Sequence, residues 1–259
     1  MNNIKPLFEH TNRHMNIAVF VSGSGTNLRA ICDKQKELEN KGEKQFGAVK
    51  IVFTNVPNCV GTEIAKEYKI PVVSLSSKRF SENLNLNADS EELRRHFDAA
   101  TIKAVESICK PDLIVLAGYR RKLSSLFYES YENKIINLYP GDITKDYLIT
   151  GVQAPIQALR NNEDYIKATV YLEQKDKRFG KSILQSCSVS LKGFSEDDID
   201  TINKNIREQA EWIIYPYVVH ELIAKGKVGI DAEYRLYFDD KLINEDGLQY
   251  DELYRINLS

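Results

Sequence analysis

Apolar positions along this chain fall into two rhythms. Ile17, Ala18, Val19, Phe20 and Val21 form an unbroken run, the pattern of a parallel strand covered on both faces. Comparable runs recur at 48–54, 72–75, 113–117 and 134–138. Between them lie helix-spaced segments: one from Thr26 or Asn27 that carries Leu28, Ala30 and Ile31, then 61–68, 91–109 and 125–131. Pro111 closes the third of these before the next strand. This βαβαβ rhythm predicts a Rossmann-like α/β fold, a mostly parallel sheet with helices on both faces. Residues 76–89 are polar and without period, which predicts a surface excursion.

The second half changes character. Residues 167–173 and 183–191 are rich in β-branched side chains and flank a charged loop, which predicts a hairpin. Ser195 opens a long helix through Ile199, Ile202, Ile206, Ala210 and Ile213, with Glu196, Asp197 and Asp198 in its first turn. Pro216 is expected to kink this helix rather than end it, because Val218, Val219, Leu222 and Ile223 continue the apolar face. Residues 232–243 read as a small hairpin turning at Asp239 and Asp240. The organisation expected is an N-terminal extension (1–14), an α/β domain (15–231), and a C-terminal hairpin and tail (232–259). A boundary near Gly151 is also open, although no flexible linker marks it.

Composition narrows the partners. With 259 residues, 42% hydrophobic content and a formal charge of −2, the chain can bury a large core but has no electrostatic attraction for nucleic acid or an acidic membrane. No apolar run approaches the roughly 20 residues that span a bilayer. The first residues are polar and lack the apolar core of a signal peptide, so a cytoplasmic location is expected. Met15 could itself serve as a start, which would make the preceding stretch an appendage to the fold. Cys32, Cys59, Cys109 and Cys187 form no CxxC pair, so reduced thiols and no metal site are expected.

The candidate chemistry begins at the first turn. Gly23 and Gly25 let the backbone bend sharply before the helix, leaving free N–H groups at its positive end, a natural seat for a phosphate. Ser-Gly-Ser-Gly is neither the full dinucleotide fingerprint nor a P-loop. On pattern alone, a tight turn that binds nothing is the alternative. Ligands in such sheets gather at the carboxyl ends of the strands, here 22–26, 54–58, 118–122 and 139–142.

Five stretches in one register, SGSGTNLRAI, PDLIVLAGYRRKLS, INLYP, GFSEDD and EWIIYP, resemble the phosphoribosylglycinamide (GAR) formyltransferase family. The resemblance runs from about Met15 to near Tyr250. It implies transfer of a formyl group from 10-formyltetrahydrofolate, as co-substrate, to the amine of GAR in purine biosynthesis. It implies that Ser22, Gly23, Ser24, Gly25, Thr26 and Asn27 wrap the substrate phosphate and that Glu211 accepts hydrogen bonds from the ribose. It implies that the segment with Arg121, Lys122 and Leu123 runs along the folate pterin.

At the reacting centre the sequence departs from the family. Asn137 matches the asparagine that polarises the formyl oxygen, but Tyr139 stands where a histidine belongs. Arg178 aligns with the aspartate, Phe179 replaces the first glycine of its loop, and Gly180 keeps the second. A histidine titrates near neutral pH and an unperturbed tyrosine near 10, so Tyr139 cannot inherit the proton shuttle unless its pKa falls. Arg178, as an opposite charge, is expected to lower it. Asp142 is a further candidate at the centre, weighed against a role in fixing a Pro-Gly turn. Three readings follow: an active divergent GAR formyltransferase, a non-catalytic relative that binds a phosphorylated nucleotide or sugar, and a transferase with another amine or acyl donor.

Overall fold

The computed structural model describes residues 3–9, 13–84, 86, 90–145, 147 and 153–256. In chain order the strands are β1 (Lys5–Pro6), β2 (Met15–Val21), β3 (Gly47–Thr54), β4 (Val72–Ser74), β5 (Leu113–Leu116), β6 (Ile135–Tyr139), β7 (Tyr165–Ile166), β8 (Thr169–Leu172), β9 (Lys181–Gln185), β10 (Val189–Ser190), β11 (Val228–Ile230), β12 (Leu236–Phe238), β13 (Lys241–Leu242) and β14 (Leu248–Gln249). The helices are α1 (Thr26–Asn40), α2 (Val60–Glu67), α3 (Ser77–Leu84), α4 (Glu91–Glu106), α5 (Ser125–Ser130), α6 (Ala154–Arg160), α7 (Ile199–Ile206), α8 (Trp212–Tyr217) and α9 (Tyr250–Ile256).

Among the described residues the main sheet has the order β14-β9-β8-β6-β5-β2-β3-β4. Strands β2 to β6 pair in parallel, while β8 runs antiparallel to both β6 and β9. The expected α/β architecture and the hairpin after residue 167 are therefore both present. Strand β2 explains the centre of the fold by alternation. Ile17, Val19 and Val21 pack on one face with Leu28, Ile31 and Leu222, while Ala18 and Phe20 pack on the other with Phe53, Phe97 and Phe127. Each such side chain contributes about 1.5–3 kcal/mol when fully buried.

The structure corrects four expectations. Residues before Met15 are not an appendage: β1 pairs antiparallel with β11, the Leu7 N–H donates to Val228 O, and Phe8 is buried. The few apolar residues of this polar stretch carry no period, so only the tertiary partner reveals this strand. Part of the 76–89 excursion is helical, as α3, with Phe80 packed edge-on against Phe97; positions 85 and 87–89 lie outside the described residues, as does the boundary near Gly151. The run 183–191 splits, because Ser186 exchanges its N–H and hydroxyl with Ala168 and the chain then leaves β8, so β10 pairs with β7. The tail is not separate either. Its hairpin turns at Asp239 and Asp240, both with positive φ (44° and 64°), but β14 then joins the main sheet parallel to β9.

The long helix continues through Pro216, as its apolar face requires. Two wider π-type segments, Arg207–Glu211 and Val218–Ile223, flank α8 and absorb the proline. Among the described residues no helix is long and apolar enough to cross a membrane, and no group of His, Cys, Asp and Glu is placed to hold a metal ion.

Candidate functional site

The turn after β2 is shaped by two glycines that face each other. Gly25 has φ +66° and caps α1, and a Cβ built on it would lie 2.6 Å from the Gly61 Cα. Gly61 N–H in turn donates to Gly23 O at 3.0 Å. No side chain caps α1 and its first turn carries no acidic residue, so the positive helix end faces the turn unneutralised. Ser22 Oγ donates to Asn55 Oδ1 at 2.6 Å and accepts the Arg120 N–H at 3.0 Å, which ties the loop to the ends of β3 and β5. Sequence reasoning missed Asn55; its place at the carboxyl end of a strand run was the available signal.

Glu211 reaches the same place from the far end of the chain. Asn27 Nδ2 donates to Glu211 Oε2 at 2.9 Å. The phosphate-loop candidate and the ribose-carboxylate candidate therefore touch, at the end of a π-type segment that turns Glu211 inward. Burial pushes the Glu211 carboxyl up, with Asn27 and Arg207 partly offsetting it. Four residues on, the buried Tyr215 hydroxyl bonds Leu116 O at 3.1 Å and Ile136 O at 3.2 Å, anchoring this helix to β5 and β6.

Asn137 and Tyr139 project from β6 on one face. Asn137 Oδ1 accepts the Leu138 N–H at 2.8 Å, and Nδ2 donates to Tyr171 Oη at 3.0 Å and Glu173 Oε1 at 2.8 Å. The Tyr139 ring packs against Phe179 with centroids 4.6 Å apart. Arg178 lies over the Phe179 ring and its Nη2 donates to Tyr147 O at 3.0 Å. The retained Gly180 is forced, because a Cβ there would fall 1.6 Å from Leu172 O. The expected lowering of the Tyr139 pKa is overturned. Burial raises the phenol above its ordinary value, and the opposing pull of Arg178 is the smaller effect. Asp142 is committed to its turn: Oδ1 accepts from Thr144 N, Thr144 Oγ1 and Gln185 Nε2.

Arg178 also borders a cavity of about 550 Å³ whose lining includes Lys122, Leu123, Tyr128, Lys175 and Lys177 together with the acidic Glu91 and Asp176. Lys175 is paired with Glu129, whereas no ion-pair partner appears among the described residues for Lys122, Lys177 or Arg178. Arg121 does not line it; its guanidinium stacks 4.3 Å from the Phe97 centroid. The residue that sequence reading missed is Glu173, which bonds Asn137 directly. No motif could have flagged a glutamate at a strand end. Among the described residues the histidines offer no substitute: His14 and His96 are exposed, and His220 is buried against Ile31 O.

Comparison with known proteins fits this geometry. Residues 15–219 match the formyl transferase family. The chain is 31% identical to phosphoribosylglycinamide formyltransferase of Escherichia coli (strain K12), over 92% of this chain and 100% of that protein. It is 26% identical to the human trifunctional purine biosynthetic protein adenosine-3, over 85% of this chain but 19% of that longer protein. Among solved structures, glycinamide ribonucleotide transformylase 1 from Symbiobacterium toebii aligns with a TM-score of 0.71 at 26% identity, covering 89% of this chain and 97% of that one. The phosphoribosylglycinamide formyltransferase from Coxiella burnetii shares the fold, with a TM-score of 0.71 at 23% identity over 92% of this chain and all of that one. With the family match over residues 15–219 and 31% identity across the whole of the Escherichia coli protein, the chain belongs to the phosphoribosylglycinamide formyltransferase family.

Proposed function

We propose that this protein binds the phosphoribosyl group of GAR and formylates its amine from 10-formyltetrahydrofolate. One observation carries the first half: the Asn27–Glu211 hydrogen bond joins an uncapped helix end to a buried carboxyl. That pairing suits a ligand with a phosphate at one end and hydroxyl donors a few ångströms away. Ser22, Gly23, Ser24, Gly25 and Thr26 supply the turn, and Glu211 accepts from the ribose.

For the donor, the basic lining at Lys122, Lys177 and Arg178 suits the carboxylates of folate, and Leu123 offers an apolar contact. Bound there, the folate supplies the formyl group. Asn137 then donates an N–H to the formyl oxygen as the amine attacks the formyl carbon. A C–N bond forms to the amine, and the C–N bond to the donor breaks. The proton leaving the amine goes to solvent, and the donor nitrogen takes one up. Tyr139, with its phenol pKa raised, can donate a hydrogen bond at neutral pH but cannot serve as the base. A positioned acid–base group is worth about 10²–10⁴ in rate, so transfer is slow relative to a histidine-bearing homologue.

The same substitutions favour a second reading, a non-catalytic relative that uses the phosphoribosyl site for binding. Calorimetric titration with GAR, with and without a folate analogue, followed by a formyl-transfer assay on the same sample, separates them. Binding with turnover that Asn137→Ala abolishes supports the enzyme. Binding without turnover supports the second reading, and absence of GAR binding overturns the enzyme and leaves the glycine turn to another ligand.

A further inference from the structure

Asn137 is held more firmly than its own strand requires. The Leu138 N–H fixes which end of the carboxamide is oxygen, so Nδ2 must face β8. The register places Tyr171 opposite Asn137, and the Glu173 N–H donates to Ile135 O, so Glu173 lies on the same face one pair further along. There Nδ2 donates to Glu173 Oε1 at 2.8 Å and to Tyr171 Oη at 3.0 Å. Tyr171 Oη also donates to Glu173 Oε1 at 3.2 Å, and Tyr128 Oη, from α5, donates to Oε2 at 3.5 Å.

We propose that Glu173 is a positioning residue for Asn137: it clamps the carboxamide through Nδ2 and leaves the second amide hydrogen as the one a ligand carbonyl takes. The two bonds are unequal. A hydrogen bond to a carboxylate is roughly twice as strong as a neutral one. The phenol, already bonded to Glu173, loses only a neutral contact when Asn137 turns its second hydrogen to a ligand. Glu173 itself has no cation partner among the described residues, so these hydrogen bonds offset much of the cost of its burial. Burial raises its carboxyl pKa, and Asn137, Tyr171 and Tyr128 pull it back. The other titratable groups around it are Tyr215 from α8, and Lys175, Lys177, Glu129, Glu132, Tyr131 and Tyr234 around an adjoining cavity of about 490 Å³.

What the freed hydrogen meets rests on the formyl-transfer reading, whereas the clamp does not. The test is therefore spectroscopic first. In ¹⁵N-labelled protein, the Asn137 side-chain amide pair, assigned by its loss in Asn137→Ala, is followed with pH. The expected result is one titration above the ordinary glutamate value of about 4.3, absent in Glu173→Gln and kept in Tyr171→Phe. Absence of the titration in the wild type, or its survival in Glu173→Gln, overturns the proposal. In the kinetic arm, Glu173→Ala is expected to lower kcat at least tenfold with GAR affinity unchanged, and Glu173→Gln to recover part of it; an unchanged kcat overturns the proposal. Should the wild type bind GAR without turnover, the formyl-transfer reading fails and the amide titration alone decides the clamp.

Discussion

Single side chains carry the chemistry proposed for this protein. Glu211→Ala removes the proposed ribose acceptor and the Asn27 Nδ2 partner; a loss of about 1–3 kcal/mol, or roughly 5- to 150-fold in GAR affinity, is expected by calorimetry. Tyr139 is expected to ionise above pH 10, read as the ultraviolet difference between wild type and Tyr139→Phe; ionisation below 9 would restore it as a base. His220, a histidine with no catalytic role here, governs acid stability. Burial lowers its pKa from 6.5 to about 4, so the folded state binds fewer protons than the unfolded one in that window. Stability is thus full above about pH 6.5 and declines as pH falls toward 4, by roughly 3 kcal/mol, and urea titrations at pH 7 and 4.5 should show a smaller difference in His220→Gln. What the register offered at this scale was a set of candidates, of which the structure brings Asn27 and Glu211 into contact. Glu173 was not legible, because it matters through a partner far away in sequence, and the Tyr139 pKa was misjudged because a sequence shows the charge of Arg178 but not the burial that outweighs it.

At the scale of elements, the turn between β2 and α1 depends on two glycines in different elements. Gly25→Ala would combine a left-handed backbone with a Cβ 2.6 Å from the Gly61 backbone. Destabilisation of about 1–3 kcal/mol is expected in urea unfolding, together with weaker GAR binding. The periods of two and 3.6 sufficed to read the parallel strands, the hairpin at 167 and the helix through Pro216, because those patterns are local and long. They did not suffice for β1, β7, β10 or β14, which have two residues each and exist only through their partners. Nor did they show the π-type segment that aims Glu211, since a single wide turn leaves the apolar spacing almost unchanged.

Across the whole molecule, both ends of the chain are stitched into sheets: β1 onto β11 near one terminus, β14 onto β9 near the other. Arg13 adds a two-pronged ion pair to Asp112, beside the start of β5. A chain shortened to begin at Met15 would lose this pair and the buried Phe8, and its stability is expected to fall by about 2 kcal/mol or more, measurable as a lower urea midpoint with GAR still bound. The pairing of β1 has a further effect, on behaviour in company rather than alone. Val228, Gly229 and Ile230 are buried between β1 and β12; with β1 gone, they become an apolar strand with one side open to any extended neighbour. A shortened chain would therefore be prone to join its copies edge to edge, and its losses in concentrated solution would exceed anything its folding equilibrium predicts.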